Sequence, residues 1–248
     1  MSAQVQGVTF RETYGRLAQA QKGVARSAPA YSRYVNRRLG RVLAAWAYGR
    51  GLTPNQVTGI SALFTFTGLG VLAATTPSWW VGVVVSACLV VGYAFDSADG
   101  QVARLSGTGS SAGEWLDHMV DATKVAALPL VLAVSFYRAD VVPTVWLLVP
   151  LLNAVVSSVL FFGMILTEQM RKAHGVRSVA PTGGSGPDLR GLLMTPTDYG
   201  VLCLVFLLLG AVSVFAAVYT VIVALTAAFL VAAGRKWFRE IAALGRMG

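Results

Sequence analysis

Charge, histidine and cysteine are all scarce in this chain. Only 12% of its 248 residues are charged, and histidine and cysteine number two each. A soluble domain carries about 25% charged residues, so the first shortage excludes an ordinary water-soluble fold of this length. The second leaves no cluster to hold zinc and no disulfide framework. Cys88 and Cys203 both fall inside apolar runs and are expected to be buried thiols without a metal or disulfide role. The N-terminus also lacks a basic start followed by an apolar core and a small-residue cleavage site, so no cleaved signal peptide is expected. What is abundant is apolar: 55% of residues are hydrophobic and the mean hydropathy is +0.63. This composition implies an all-α, polytopic membrane helix bundle.

Apolar runs fall at about 56–75, 79–95, 115–137, 141–167, 198–217 and 218–234. Each is near the ~20 residues a helix needs to cross a bilayer, which predicts six transmembrane helices within a domain spanning 51–240. The break between the last two is read near Val218 to Thr220. Upstream, residues 1–29 are polar and read as a cytoplasmic N-terminal tail, partly helical. Over 30–50, Tyr31, Tyr34, Val35, Leu39, Val42, Leu43 and Trp46 recur at three- and four-residue steps, while Arg33, Arg37 and Arg41 fall on another side. That pattern predicts an amphipathic helix lying in the membrane interface. Thr53 and Pro54 read as the cap and first residue of the first span. The stretch 168–197 reads as a flexible connection, with Arg171, Lys172, His174, Arg177, the Gly/Ser/Pro-rich run 181–187, and Arg190.

The net charge is +9, yet the basic residues flank apolar runs, so anionic headgroups and phosphate substrates are the expected partners, not nucleic acid. Of the 20 lysines and arginines, only Arg138 lies in a loop assigned outside. The positive-inside rule then sets both termini on the cytoplasmic side.

Against this apolar background, residues 96–121 stand out. Asp96 and Asp99 lie at i, i+3 and share a helix face; Asp117 and Asp121 lie at i, i+4, with Gly113 one turn before them. Four carboxylates this close repel unless cations sit between them. Oxygen ligands alone suit Mg²⁺, Mn²⁺ or Ca²⁺, so Asp96, Asp99, Asp117 and Asp121 are the candidate ligands of one or two hard divalent ions. Gly100 lets backbone approach a ligand, and Arg104 is a fixed cation suited to phosphate oxygens. Metal, arginine and bare backbone together describe a diphosphate site.

The pattern D-x2-D-G-x2-A-R-x8-G-x3-D-x3-D, matched here at every position, resembles the signature of the CDP-alcohol phosphotransferase (phosphatidyltransferase) family. The resemblance implies transfer of a substituted phosphate group from a CDP-linked donor to an alcohol, with release of CMP, in phospholipid biosynthesis. It also implies Mg²⁺ or Mn²⁺, two ions being expected, and a homodimer; a bacterial plasma membrane is the expected location, with the acidic motif on its cytoplasmic side by the positive-inside rule. By the same resemblance Asp121 is the expected general base, also contacting metal. The nucleotide would pack against Gly100, Ala103 and Gly113, near Asn55 and Arg104.

Glu114 and His118 give the second half the form G-E-W-L-D-H-x-x-D, similar to the choline/ethanolamine phosphotransferase branch, where they are candidates for base or proton relay. Blander readings stand beside these. Small residues at 103 and 113 also serve close helix packing, Glu114 suits the first turn of any helix, and Asp198 reads as an N-cap. Two directions stay open: CDP-diacylglycerol with a small polar alcohol such as glycerol phosphate, inositol phosphate or serine, or a CDP-headgroup with a lipid hydroxyl. A membrane cation channel or transporter using the aspartates is the alternative class. It would spread acidic residues through the membrane depth, whereas here they cluster at one face.

Overall fold

The structure, a computed structural model, describes residues 9–20, 29–176 and 197–244. The described chain is helical throughout. Helix α1 (Phe10–Ala20) and α2 (Arg37–Gly49) precede the long helices α3 (Pro54–Ala74), α4 (Trp79–Ser106), α5 (Ser111–Ala139) and α6 (Leu148–Ala173). A short α7 (Tyr199–Val205), extended by a 3-10 turn over Phe206–Gly210, leads to α8 (Val212–Leu244). Among the described residues, five helices are long and apolar enough to cross a membrane. Their outer faces fit lipid: on α6, Leu148, Leu151, Leu152, Val155, Val159 and Phe162 are all exposed along one side. An apolar face of this extent marks an integral membrane protein.

Helix boundaries follow local chemistry. Thr53 caps α3 in a reciprocal box: its hydroxyl accepts from Gln56 N at 3.3 Å, while its own N–H donates to Gln56 Oε1 at 2.9 Å. Ser78 and Ser110 cap α4 and α5 one way only, their hydroxyls accepting from Val81 N and Gly113 N. Helix α4 stops at Gly107, whose φ of 65° is the left-handed conformation glycine adopts without strain.

The last two expected spans differ from the sequence pattern. The break falls at Gly210–Ala211, not near residues 218–220, and α8 runs unbroken to Leu244. Tyr219 and Thr220 looked like a polar interruption, but both are satisfied inside the bundle. Asn153 Nδ2 donates to the Tyr219 hydroxyl at 2.7 Å, and Thr220 accepts from Trp146 Nε1 at 3.0 Å while donating to Ala216 O. At the break the Trp79 ring packs where a Cβ on Gly210 would stand. The fifth expected span is thus a twelve-residue segment, Tyr199–Gly210. It lies beside α4 from Tyr93, which meets the Tyr199 ring, to Gly82, which abuts Phe206 O.

Helix α6 also continues to Ala173, so residues 168–173 are helical and not loop. Arg171 there pairs with Glu240 on α8. Residues 177–196, including Arg177, the run 181–187 and Arg190, lie outside the described residues.

Helix α2, continued backward by the helical turn Ser32–Asn36, has three faces where the sequence pattern distinguished two. Asn36, Gly40, Ala44 and Ala47 form a buried stripe of small residues, with Asn36 Nδ2 donating to Tyr93 O on α4 at 3.1 Å. The aromatic and aliphatic row Tyr34, Val35, Leu39, Val42 and Trp46 stays exposed. Asp198 ties this layer to α7. Its carboxylate accepts from Gly200 N at 3.1 Å, as the expected N-cap, and from Ser32 N at 3.0 Å. Burial raises the pKa of this carboxyl against the pull of its backbone N–H donors.

Apolar side chains form two cores. The larger, with Leu72, Leu89, Leu132, Phe136, Phe206 and Phe215, fills the half of the bundle away from α2; the smaller, with Ala44, Val57, Phe95, Ala98 and Val102, lies under α2. Helices α3 and α4 cross most tightly at Gly92. A Cβ there would stand 2.3 Å from Thr65 Oγ1 and 3.1 Å from Ser61 O, and the closeness lets Ser61 Oγ donate to Gly92 O at 2.8 Å.

Candidate active site

Helix rise alone brings the four aspartates into register. Asp99 lies seven residues from the end of α4 and Asp117 six from the start of α5; Asp96 and Asp121 each lie ten residues in. At 1.5 Å per residue the pairs sit about 10 Å and about 15 Å deep from the same end. The turn 107–110 joins the helices, which splay apart while α3 packs against both. The carboxylates therefore face a gap between α4 and α5 with α3 as its floor.

In that gap, oxygen atoms of Asp96, Asp117 and Asp121 all lie within 4.8 Å of one another. Ligands about 2.1 Å from one octahedral ion stand about 3–4.2 Å apart. The donor set and its spacing thus fit a hard divalent cation. Asp99 is buried and faces Asp117. Its Oδ2 accepts a 2.6 Å hydrogen bond from Thr58 on α3.

Toward the surface the gap widens into a cleft of about 510 Å³, the size of a small-molecule site. Asn55, Gly100, Ala103, Arg104 and Gly113, the five residues expected near a nucleotide, all line it, together with Asp99, Asp117 and Glu114. Asp117 belongs both to this wall and to the three-aspartate cluster, so the cleft opens onto the carboxylates. Two bare positions shape the wall. A Cβ at Gly113 would stand 3.1 Å from Asn55 Oδ1, and the Arg104 guanidinium lies 3.5 Å from the Cβ position of Gly100. Arg104 has Arg37 of α2 for a neighbour, and burial together with that like charge lowers the Arg37 pKa.

Glu114 and His118 sit at the rim. Glu114 Oε1 accepts from Lys172 Nζ at 3.2 Å, and His118 Nε2 stands 3.9 Å from Glu114 with its ring edge-on to Phe161. Asp96, Asp121 and His118 are not among the cleft-lining residues; the two aspartates lie deeper.

The structure also brings in residues that motif reading passed over. Thr58 anchors Asp99. Lys124 is 5% exposed, bonds Asp96 across the gap, and lies 2.7 Å from Asp121. The available signal was a lysine three residues after Asp121 inside an apolar run, where an intramembrane charge requires a partner.

Among proteins of curated function none matches the chain. The family model of CDP-alcohol phosphatidyltransferases matches residues 51–232, which run from the approach to α3 well into α8 and take in every aspartate of the cluster. The chain belongs to the CDP-alcohol phosphatidyltransferase family, transferases of substituted phosphate groups that act between a CDP-alcohol and an acceptor alcohol.

Proposed function

We propose that the chain catalyses metal-dependent transfer of a substituted phosphate group from a CDP-linked donor to an alcohol hydroxyl, releasing CMP, in phospholipid biosynthesis. The observation that carries the reading is the shared wall at Asp117, where a cleft of nucleotide size meets a cluster of carboxylate oxygens.

In this reading the cytidine nucleotide lies against Gly100, Ala103 and Gly113, where missing or minimal side chains admit it, with Asn55 beside it. Arg104 faces the diphosphate, and Arg37 adds positive charge behind it. Asp96, Asp99, Asp117 and Asp121 would hold Mg²⁺ or Mn²⁺, which when bound neutralises the diphosphate and the departing CMP. Thr58 fixes the Asp99 carboxylate so that this ligand does not have to be ordered at the moment of reaction. Asp121 accepts the proton of the attacking hydroxyl. A free carboxylate, with an ordinary pKa near ~4, is a weak base toward an alcohol, so proton transfer accompanies attack instead of preceding it. Glu114 and His118, one helical turn apart at the rim, carry that proton outward along α5.

The reaction faces the cytoplasmic leaflet of a bacterial plasma membrane, where the basic residues of α2 and the ends of α6 and α8 meet anionic headgroups, and the enzyme works as a homodimer. The test is a product screen. Chain purified into lipid nanodiscs is given Mn²⁺ and either labelled CDP-diacylglycerol with polar alcohols or labelled CDP-headgroup with diacylglycerol. One donor should yield labelled lipid and free CMP; neither product with any donor would refute the assignment.

A further inference from the structure

Lys124 is enclosed by three helices. Its ammonium bonds Asp96 on α4, lies 2.7 Å from Asp121 one turn back on α5, and donates to Ser61 Oγ on α3 at 3.5 Å. An ammonium has three N–H donors, and here each has an acceptor on a different helix. The seat is built by the fold: Ser61 is held by its bond to Gly92 O, at the crossing that only glycine permits. With 5% exposure, the side chain has little water to retreat into.

An ammonium and a hard divalent cation ask for the same thing, anionic oxygen at close range. Centres with two metal ions for phosphoryl transfer place them about 3.5–4 Å apart, on carboxylates that face both. In this chain the depth register separates two such places. Asp99 and Asp117 face the cleft; Asp96 and Asp121 lie about one turn deeper, and Asp117, with an oxygen within 4.8 Å of theirs, faces both places. The Oδ1 atoms of Asp96 and Asp121 are the two carboxylate oxygens on the Lys124 ammonium. A divalent ion on the same oxygens would stand beside a positive charge in a region poor in water, where like charges repel strongly.

We propose that Lys124 stands in for one of the two cations: before nucleotide binds, its ammonium fills the Asp96–Asp121 place, and the centre takes up a single divalent ion on the Asp99–Asp117 side. Lys124 is thus a positioning residue. It holds the deep carboxylates in the geometry a metal would impose, and it sets the number of ions. The inference rests on the metal-dependent reading above, and its test counts ions independently of turnover.

Purified full-length chain in nanodiscs, without nucleotide, is titrated with MnCl₂, and bound Mn²⁺ is counted from loss of the free-ion electron paramagnetic resonance signal. The wild type should bind one ion per chain, Lys124→Met two, and Lys124→Arg, which restores the cation, one. Should Lys124→Met not yield folded chain, Lys124→Gln keeps two N–H donors without the charge and carries the same expectation. Two ions in the wild type, or one in both the wild type and the uncharged variant, would overturn the inference while leaving the metal-dependent reading intact. No bound ion in the wild type would overturn both.

Discussion

The hydrogen bond from Thr58 to Asp99 offers a direct measure of how far the carboxylate cluster depends on its surroundings. Thr58→Val keeps the shape of the side chain and removes one donor, so any loss reports the 2.6 Å bond and not a change in packing. The hydroxyl also lies 3.2 Å from Pro54 O, but it has one proton, and the shorter bond to a carboxylate is the stronger. Hydrogen bonds to charged groups contribute about 1.5–3 kcal/mol. At ~1.4 kcal/mol per factor of ten this amounts to about 10- to 150-fold. Measured losses when a partner behind a metal ligand is removed, about 10- to 100-fold in affinity or activity, fall in the same range. We therefore expect Thr58→Val to weaken Mn²⁺ binding and lower turnover by at least ~10-fold, and Thr58→Ser, which keeps the hydroxyl, to lose far less. Manganese titration and CMP release report the two quantities separately. A Thr58→Val protein that binds Mn²⁺ and turns over within about twofold of wild type would refute the role given to this bond.

Other perturbations probe other parts of the site. Asp117→Asn is expected to abolish both Mn²⁺ binding and turnover, because Asp117 joins the cleft to the cluster; retained CMP release would remove it from the centre. Gly113→Leu directs a side chain at Asn55 and should raise KM for the CDP donor at least ~10-fold with Mn²⁺ binding unchanged, so an unaltered KM would place the nucleotide elsewhere. Glu114→Gln breaks a half-exposed pair with Lys172, worth no more than about 1 kcal/mol, so thermal stability should hardly move while turnover falls; full turnover would take Glu114 out of the proton path. Gly92→Ala forces a methyl group against Thr65 and Ser61 and should destabilise the bundle by about 1–3 kcal/mol, seen as a lower unfolding temperature in detergent. An unchanged midpoint would show a looser crossing than described.

Much of the site was legible in the sequence because helical spacing is rigid. Once Asp96, Asp99, Asp117 and Asp121 are placed on two helices joined by a short turn, their depths follow from the rise per residue. Thr53, Pro54 and Asp198 were readable as helix starts because capping is local chemistry. What was not legible depends on partners distant in sequence. Thr220 looks like an interruption until Trp146 is seen to reach it, and Tyr219 until Asn153 is. The buried stripe on α2 shows no hydrophobic signal, since glycine, alanine and asparagine are chosen there for size. Lys124 falls just inside an expected span, and spacing alone does not reveal that Asp96, 28 residues away, meets it across the gap.

The pairing within α5 bears on how the chain is made. A segment carrying Asp117, Asp121 and Lys124 has to leave the translocation machinery for lipid, and each such charge near mid-helix costs about 2.5–3.5 kcal/mol on insertion scales. Lys124 and Asp121, one turn apart, cancel much of their charge before any neighbouring helix has arrived. The nascent helix therefore enters the bilayer with its own counter-ion aboard.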